Sequence, residues 1–131
     1  MNISEAARLS GLSTKTIRYY ESIALISAAV RNENGYRDYS ERELDTLRFL
    51  QRARSTGFSV EECRQLLDLY LNTGRQSSHV KSLVQEKIAR VEAQLEQLQA
   101  MRTTLAKLAE RCAGDEGPHC AILDELADNE N

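Results

Sequence analysis

The chain has 131 residues, the size of a single small domain with a limited core, and its 41% hydrophobic and 28% charged residues exclude wholesale disorder. It has no apolar run of membrane-spanning length and no secretion-signal pattern at its amino end, so we expect a cytoplasmic protein without a membrane partner. The net charge of −3 is uneven, because Met1 to Gly57 carries a small positive surplus that is compatible with a nucleic-acid partner.

The first predicted elements are two short helices separated by a turn. Apolar residues recur at helical spacing from Ile3 to Leu9, and the pattern stops at Gly11. Ser13 is a favoured helix cap and begins a second helix, from Thr14 to about Ser22. A helix, a tight turn with glycine and a second helix have the spacing of a helix-turn-helix motif.

A β-hairpin is predicted next, in "AVRNENGYRDYS". Asn34-Gly35 is typical of a two-residue hairpin turn, and Val30, Tyr36 and Tyr39 are strand-prone flanks. A small β-ribbon after a helix-turn-helix is a wing. Its arginines and tyrosines suit contacts with DNA phosphates and grooves, and the alternative is an ordinary solvated hairpin.

Two capped helices follow the hairpin. Ser40 with Glu43, and Ser59 with Glu62, each have the spacing of a capping box. In the second of these helices Cys63 lies on a continuous apolar face, so we interpret it as a buried core residue rather than a metal ligand.

A long helix is predicted from His79 to Arg111, which at 1.5 Å per residue is roughly 50 Å. Its apolar residues alternate at spacings of four and three, as in a coiled-coil seam, and the register slips by one residue near Met101. One helix cannot bury such a stripe alone, so we predict a homodimer; packing back onto the chain's own domain is the alternative. The seam residues are Val84, Ile88, Val91, Leu95 and Leu98.

Two cysteines flank a loop at the end of this helix. Cys112 and Cys120 are separated by seven residues that include two glycines and a proline, so the loop can fold back and bring the sulfurs together. In a reducing compartment such a pair indicates metal binding or redox activity rather than a structural disulfide. Two thiolates suit a soft monovalent ion better than zinc, which usually takes four ligands.

Three alternatives remain open for this loop. A redox switch could use the same thiols, although Asp115 and Glu116 in the loop are expected to raise the thiol pKa values. His119 could add a third ligand, although a histidine beside a ligand is more often a solvent-facing neighbour. The cysteines could also have neither role.

The chain resembles the MerR family of transcription regulators over nearly its whole length, and within that family the copper-responsive branch. The resemblance rests on "MNIS", "GLSTKTIRYYE", "RNENGYRDYS", "RARSTGFSVEE", the serine of "RQSSHVK", and the C-x7-C loop before an apolar helix. It implies a winged domain on palindromic promoter DNA and a dimer held by an antiparallel coiled coil. It also implies that metal binding distorts the bound DNA so that RNA polymerase meets both promoter elements.

The resemblance assigns a metal site. Cys112 and Cys120 match the thiolate ligands of the copper-responsive branch, so Cu(I) is the expected ion, with Ag(I) and Au(I) as alternatives. Ser77 matches a position where regulators of divalent ions carry a further cysteine, and it is expected to reach the site from the partner chain. Ala113 and Pro118 depart from the commonest copper pattern and look more like gold-responsive relatives.

The resemblance also assigns DNA contacts, with Tyr19 as a possible core residue. Ala24 stands where the family usually has glycine, so a left-handed cap there would cost roughly 1 kcal/mol. The expected DNA-binding residues are Thr14, Lys15, Arg18 and Tyr20 on the second helix, and Arg31, Tyr36 and Arg37 on the wing.

The sequence therefore predicts a mainly α fold with a winged helix-turn-helix domain (1–74), a dimerisation helix (75–111), and a metal-binding loop with a short helix and acidic tail (112–131). No nucleophile with its base, catalytic carboxylate pair or phosphate-binding glycine loop is evident, so we expect a regulator rather than an enzyme. A thiol redox-sensing regulator on the same scaffold is the main alternative, and a regulator of small organic ligands is another.

Overall fold

The computed structural model describes residues 1–27, 30–31 and 33–128. It is mainly helical, as predicted, and divides into two compact units, Met1–Val80 and Lys81–Asn131. The boundaries expected after residues 74 and 111 stay predictions, and the end of the acidic tail lies outside the described residues. The helices are α1 (Ile3–Ser10), α2 (Thr14–Ser22), α3 (Glu41–Ser55), α4 (Val60–Leu71), α5 (Ser77–Arg111) and α6 (Ala121–Ala127); the strands are β1 (Val30–Arg31) and β2 (Arg37–Asp38).

The helix-turn-helix is formed by α1 and α2. Gly11 ends α1 in the left-handed conformation with φ 82°, where glycine has no steric penalty. Ser13 then caps α2, and its side chain accepts a hydrogen bond from the Thr16 amide at 3.0 Å. The predicted start and end of α2 are both confirmed.

Both predicted capping boxes are present. The Ser40 hydroxyl accepts from the Glu43 amide while the Glu43 carboxylate accepts from the Ser40 amide, and α3 begins at the next residue. Ser59 and Glu62 form the same reciprocal pair at the start of α4. Each box satisfies two amides that a helix start otherwise leaves without a partner.

The hairpin is antiparallel and pairs Val30 with Asp38 and Arg31 with Arg37. Gly35 has φ 80°, which agrees with its expected role in the turn. The prediction of a two-residue turn at Asn34-Gly35 is wrong, because the register of these two pairs is centred on Asn34 alone rather than between Asn34 and Gly35. Asn-Gly favours a tight reversal locally, but the strand pairing sets the length of the loop.

The core of the first unit lies where α1, α2, α3 and α4 meet. One cluster contains Tyr20 of α2 and Leu25, which follows the end of that helix, together with Leu50, Cys63 and Leu67. Cys63 is completely buried, so its predicted core role is confirmed. The second cluster joins α1 and α2 to the base of the hairpin and consists of Ala6, Ile17, Tyr39 and Leu47.

The long helix α5 begins at Ser77, two residues before the predicted start at His79, and ends at Arg111 as predicted. No residue of α5 is buried within the described chain. Leu95 and Leu98 are 60% and 59% exposed, so the apolar stripe is not covered by this chain. An exposed stripe of this kind is available to a second chain.

Candidate functional site

The exposed face of α2 carries two cations. Lys15 and Arg18 are exposed and Thr14 is partly exposed, while Ile17 between them is fully buried. Successive residues of a helix point about 100° apart, so Lys15 and Arg18 face solvent when Ile17 faces the core. This face can meet a DNA groove with two positive charges and a hydroxyl.

Of the two adjacent tyrosines of α2, Tyr20 was expected at the surface and Tyr19 in the core, and the structure shows the reverse. Tyr20, assigned to DNA from the resemblance, is 3% exposed and packs in the core with Leu25 and Leu67. Tyr19, considered as a core residue, is 53% exposed. The interpretation of Tyr19 as core is wrong, and the assignment of Tyr20 is corrected because its ring is not at the surface. The signal that could have placed Tyr20 inward is its spacing of three positions from Ile17, which puts the two side chains on one face of α2.

The wing presents an aromatic side chain and ties one arginine to α2. Tyr36 is 69% exposed. Arg37 forms an ion pair with Glu21 on α2, with Nε and Oε1 3.2 Å apart. Arg31 lies opposite Arg37 in the hairpin, and its side chain is outside the described part of the structure.

Glu21 of α2 is a further residue of this surface, and no role was predicted for it. Its side chain is 8% exposed, and its carboxylate accepts a 2.5 Å hydrogen bond from the hydroxyl of Tyr39 as well as pairing with Arg37. A buried carboxylate with two donors from the hairpin fixes the hairpin against α2. An acidic residue directly after "RYY" is the signal that could have drawn attention to it.

The two cysteines of the second unit come together. The sulfurs of Cys112 and Cys120 are 3.6 Å apart, and both residues are partly buried and free of disulfides. The expectation that the loop folds back on itself is confirmed. A single soft ion placed between these sulfurs could bond both of them.

Local contacts close the loop around the cysteines. Arg111, the last residue of α5, forms an ion pair with Glu125 of α6 and so connects the helices on either side of the loop. Gly114 has φ 70°, and the Gly117 amide donates to the Asp115 carboxylate at 2.9 Å. Glycine and an aspartate turn reverse the chain here, as the composition indicated.

The pKa of the Cys120 thiol is lowered, first by the nearby amide of Leu123 and then by the Cys112 thiol, against the opposing effects of burial and, more weakly, of Asp124. Cys120 is the N-cap of α6 without a capping hydrogen bond of good geometry, so we attribute the lowering to the field of the amides rather than to a formed bond. The expectation that the acidic loop residues raise this pKa is wrong for Cys120. The thiolate is the form that binds metals.

Other ligand candidates do not join the pair. Among the described residues, no group of three or more His, Cys, Asp or Glu side chains is arranged to hold a metal ion. The His119 side chain is 85% exposed and lies 3.7 Å from the Asp124 carboxylate. Ser77 is the exposed first residue of α5 and belongs to the first compact unit.

A helix-turn-helix with a cationic second helix, a hairpin beside it and a long helix beyond define a DNA-binding transcription regulator. The chain belongs to the MerR family: it matches the family described as "MerR HTH family regulatory protein" over residues 1–69 and "MerR, DNA binding" over residues 44–108. Members of this family are DNA-binding regulators and not enzymes, in agreement with the prediction. The family resemblance found in the sequence is confirmed.

Three similar proteins extend over almost the whole chain. "Heavy metal-dependent transcription regulator 2" of Rhizobium meliloti is 49% identical and covers 97% of this chain and 86% of its own length. "HTH-type transcriptional regulator CueR" of Salmonella typhimurium is 43% identical, and the match covers 97% of this chain and 92% of that protein. Among solved structures, the transcription regulator PbrR691 from Ralstonia metallidurans, crystallised in complex with lead(II), superimposes with a TM-score of 0.85. Its sequence is 32% identical, and the match covers 97% of this chain and 99% of that one.

None of the helices in the described ranges is both long enough and apolar enough to cross a membrane.

Proposed function

We propose that the chain is a homodimeric regulator that binds a palindromic promoter and activates transcription when Cu(I), Ag(I) or Au(I) binds Cys112 and Cys120. The observation that carries the proposal is the 3.6 Å separation of the two sulfurs. The loop between them is flanked by α5 and α6, which the ion pair of Arg111 with Glu125 connects. Copper is our first choice, and silver and gold share its preference for two thiolates.

The donor set favours a soft ion of low coordination number. Two thiols form the site and no third ligand joins them among the described residues, whereas a structural zinc ion usually takes four ligands. The similarity to a heavy metal-dependent regulator supports metal response in general. The ion, when bound, supplies a link between the end of α5 and the start of α6, and the chain's own thiols hold it.

Ser77 is proposed to set selectivity from the second copy of the chain. A serine at this position adds no thiolate, so a divalent ion that needs further sulfur ligands is held less well than a two-coordinate monovalent ion. The hydroxyl at the first position of α5 is also a helix-start residue, and the two roles are compatible.

The proposed DNA surface combines the exposed face of α2 with the hairpin. Lys15 and Arg18 contact the duplex together with Thr14, and Tyr19 takes the place that was first assigned to Tyr20. On the wing, Tyr36 and the two arginines 31 and 37 approach the phosphates, with Arg37 oriented by its ion pair to α2.

Dimerisation is proposed to occur through α5. Its apolar stripe is exposed along the whole seam, and an antiparallel coiled coil with a second copy covers such a stripe. The dimer matches a palindromic site by symmetry. Metal binding then shifts the dimer toward a form that distorts the promoter so that RNA polymerase engages both of its elements.

Titration of the fully reduced protein with Cu(I), Ag(I) and Au(I) tests the site. We expect one ion per chain, and we expect Cys112→Ser and Cys120→Ser to lose metal binding and induction while promoter binding persists. Cys63→Ala is the matched control, because it removes a buried thiol outside the loop and leaves metal binding intact. Metal-dependent induction that survives in Cys112→Ser contradicts the assignment.

Redox sensing is the second candidate, and it is favoured by the same short distance between the sulfurs. Treatment with oxidised glutathione converts two thiols into a disulfide and releases two reduced glutathione molecules. If that treatment switches transcription while the reduced protein ignores all three ions, the redox function replaces the metal function.

A further inference from the structure

The carboxyl end of α2 closes in a specific turn. The Leu25 amide donates to the Tyr20 carbonyl at 2.9 Å, and the Ala24 amide donates to the Glu21 carbonyl at 3.1 Å. Together these two bonds form a Schellman motif, in which the residue after the helix cap is left-handed. The packing of Leu25 and Tyr20 in one buried cluster supplies the hydrophobic contact that accompanies this motif.

The left-handed position of this turn is occupied by an alanine. Ala24 has φ 57°, the one positive φ of a non-glycine residue in the described chain. A Cβ at this position is strained, since it lies close to the following carbonyl oxygen. Such a conformation persists where surrounding contacts determine it, and a partner outside the turn can add to the turn's own two hydrogen bonds.

Arg64 of α4 is that partner. Its Nη1 donates to the Ala24 carbonyl at 3.1 Å and its Nη2 donates to the Ile23 carbonyl at 3.0 Å. Its Nε lies 3.4 Å from a carboxylate oxygen of Glu61 on the same helix, which holds the guanidinium in place. All three nitrogens are therefore used within the chain.

We infer that Arg64 is a positioning residue for DNA binding. The guanidinium grips the two consecutive carbonyls that follow α2, holds Ala24 left-handed, and so fixes the direction in which the chain leaves α2 toward β1. This inference rests on the proposed use of α2 and the wing as the DNA surface. A planar fork is needed to reach two carbonyls at once, and a lysine ammonium is a point charge that cannot replace it.

The test is a double-mutant cycle between Arg64→Lys and Ala24→Gly. The probe is a duplex that the wild-type protein selects from random DNA, and the measurement is its dissociation constant over a range of salt concentrations. We expect Arg64→Lys to weaken binding about tenfold, because the strained turn relaxes. In the Ala24→Gly background the left-handed turn is free of strain, so the same change should cost less than about threefold.

The salt dependence separates positioning from direct contact. Lysine keeps the charge and no phosphate contact is lost, so the slope of affinity against salt should stay unchanged. Wild-type affinity in Arg64→Lys overturns the inference. An equal loss with and without the Ala24→Gly change also overturns it, because Arg64 then acts independently of the turn. Circular dichroism and thermal unfolding show which variants fold. If Arg64→Lys alone fails to fold, its effect on DNA affinity is measured by comparing the double variant with Ala24→Gly.

Arg54→Lys is the matched control. Arg54 also donates to a carbonyl beyond a helix end, that of Phe58 at 2.9 Å, but it stabilises the end of α3 rather than α2. We expect it to leave DNA affinity unchanged. Arg18→Met tests the proposed DNA surface itself: if that variant binds like the wild type, the surface is wrong, whereas a failure confined to Arg64→Lys concerns the positioning role alone.

Discussion

The hydroxyl of Tyr39 donates a 2.5 Å hydrogen bond to Oε1 of Glu21, and this bond joins the base of the hairpin to α2. Both residues are buried: Tyr39 is 2% exposed and the Glu21 side chain 8%. Arg37 pairs with the same carboxylate. The helix α2 and the hairpin are thus connected by a buried charge with two donors, and this contact fixes them against each other.

Tyr39→Phe removes one of those donors without changing the shape of the ring. We expect the free energy of unfolding to fall by about 1–3 kcal/mol, because a buried carboxylate loses a hydrogen bond. Urea unfolding followed by circular dichroism measures the change. Tyr36→Phe removes a hydroxyl from an exposed ring on the same hairpin and should shift the midpoint little. Equal midpoints for Tyr39→Phe and the wild type would show that the bond contributes nothing.

Alkaline pH should weaken the same connection. Burial, and then the hydrogen bond to Glu21, raise the pKa of Tyr39 well above the ordinary value for tyrosine. The folded state therefore holds this proton more tightly than the unfolded state, and the corresponding stability is present below about pH 10 and is lost as the pH rises further. Unfolding measured between about pH 8 and pH 11 should show a steeper loss for the wild type than for Tyr39→Phe. Parallel curves would exclude Tyr39 as the group responsible.

Local signals predicted much of the fold correctly. Ser40 with Glu43 and Ser59 with Glu62 fix two helix starts to the residue, because each box satisfies specific amides. The glycines and proline between Cys112 and Cys120 predicted the reversal that brings the sulfurs together. These features depend on residues within a few positions of one another, so the sequence contains the whole cause.

Features that depend on distant partners were not predictable in this way. Tyr20 lies three positions after Ile17 and shares its buried face, but Leu67, which packs in the same cluster as Tyr20, comes from α4, far along the chain. Arg64 reaches carbonyls some forty positions earlier, and backbone carbonyls leave no mark in a sequence. The register of the hairpin is centred on Asn34 rather than between Asn34 and Gly35, because the pairing of the strands sets it.

Leu95→Glu tests the proposed dimer. Leu95 is 60% exposed in the single chain, and a carboxylate there would be buried when a second copy covers the stripe. We expect the dimer to weaken by at least about 3 kcal/mol and promoter binding to weaken with it. Sedimentation equilibrium and DNA titration on the same samples provide the measurement.

Ala93→Glu is the control for Leu95→Glu. Residues two positions apart on a helix point about 200° away from each other, so position 93 faces away from the seam that contains Leu95. A glutamate at position 93 therefore keeps its carboxylate in water. This variant should remain dimeric. A monomeric Leu95→Glu that still binds a palindrome as tightly as the wild type would contradict a dimer held by α5.

Ser77→Cys tests the proposed selectivity. A third thiolate completes more of the coordination that Zn(II), Pb(II) and Hg(II) require, so these ions should induce transcription at concentrations roughly tenfold lower than with the wild type. Ser78→Cys places the thiol about 100° further round α5 and should leave the ion profile unchanged. A reporter driven by the selected promoter measures induction by each ion in all three proteins. If both cysteine variants respond alike, the added thiol acts without a defined position, and selectivity must come from the loop between Cys112 and Cys120.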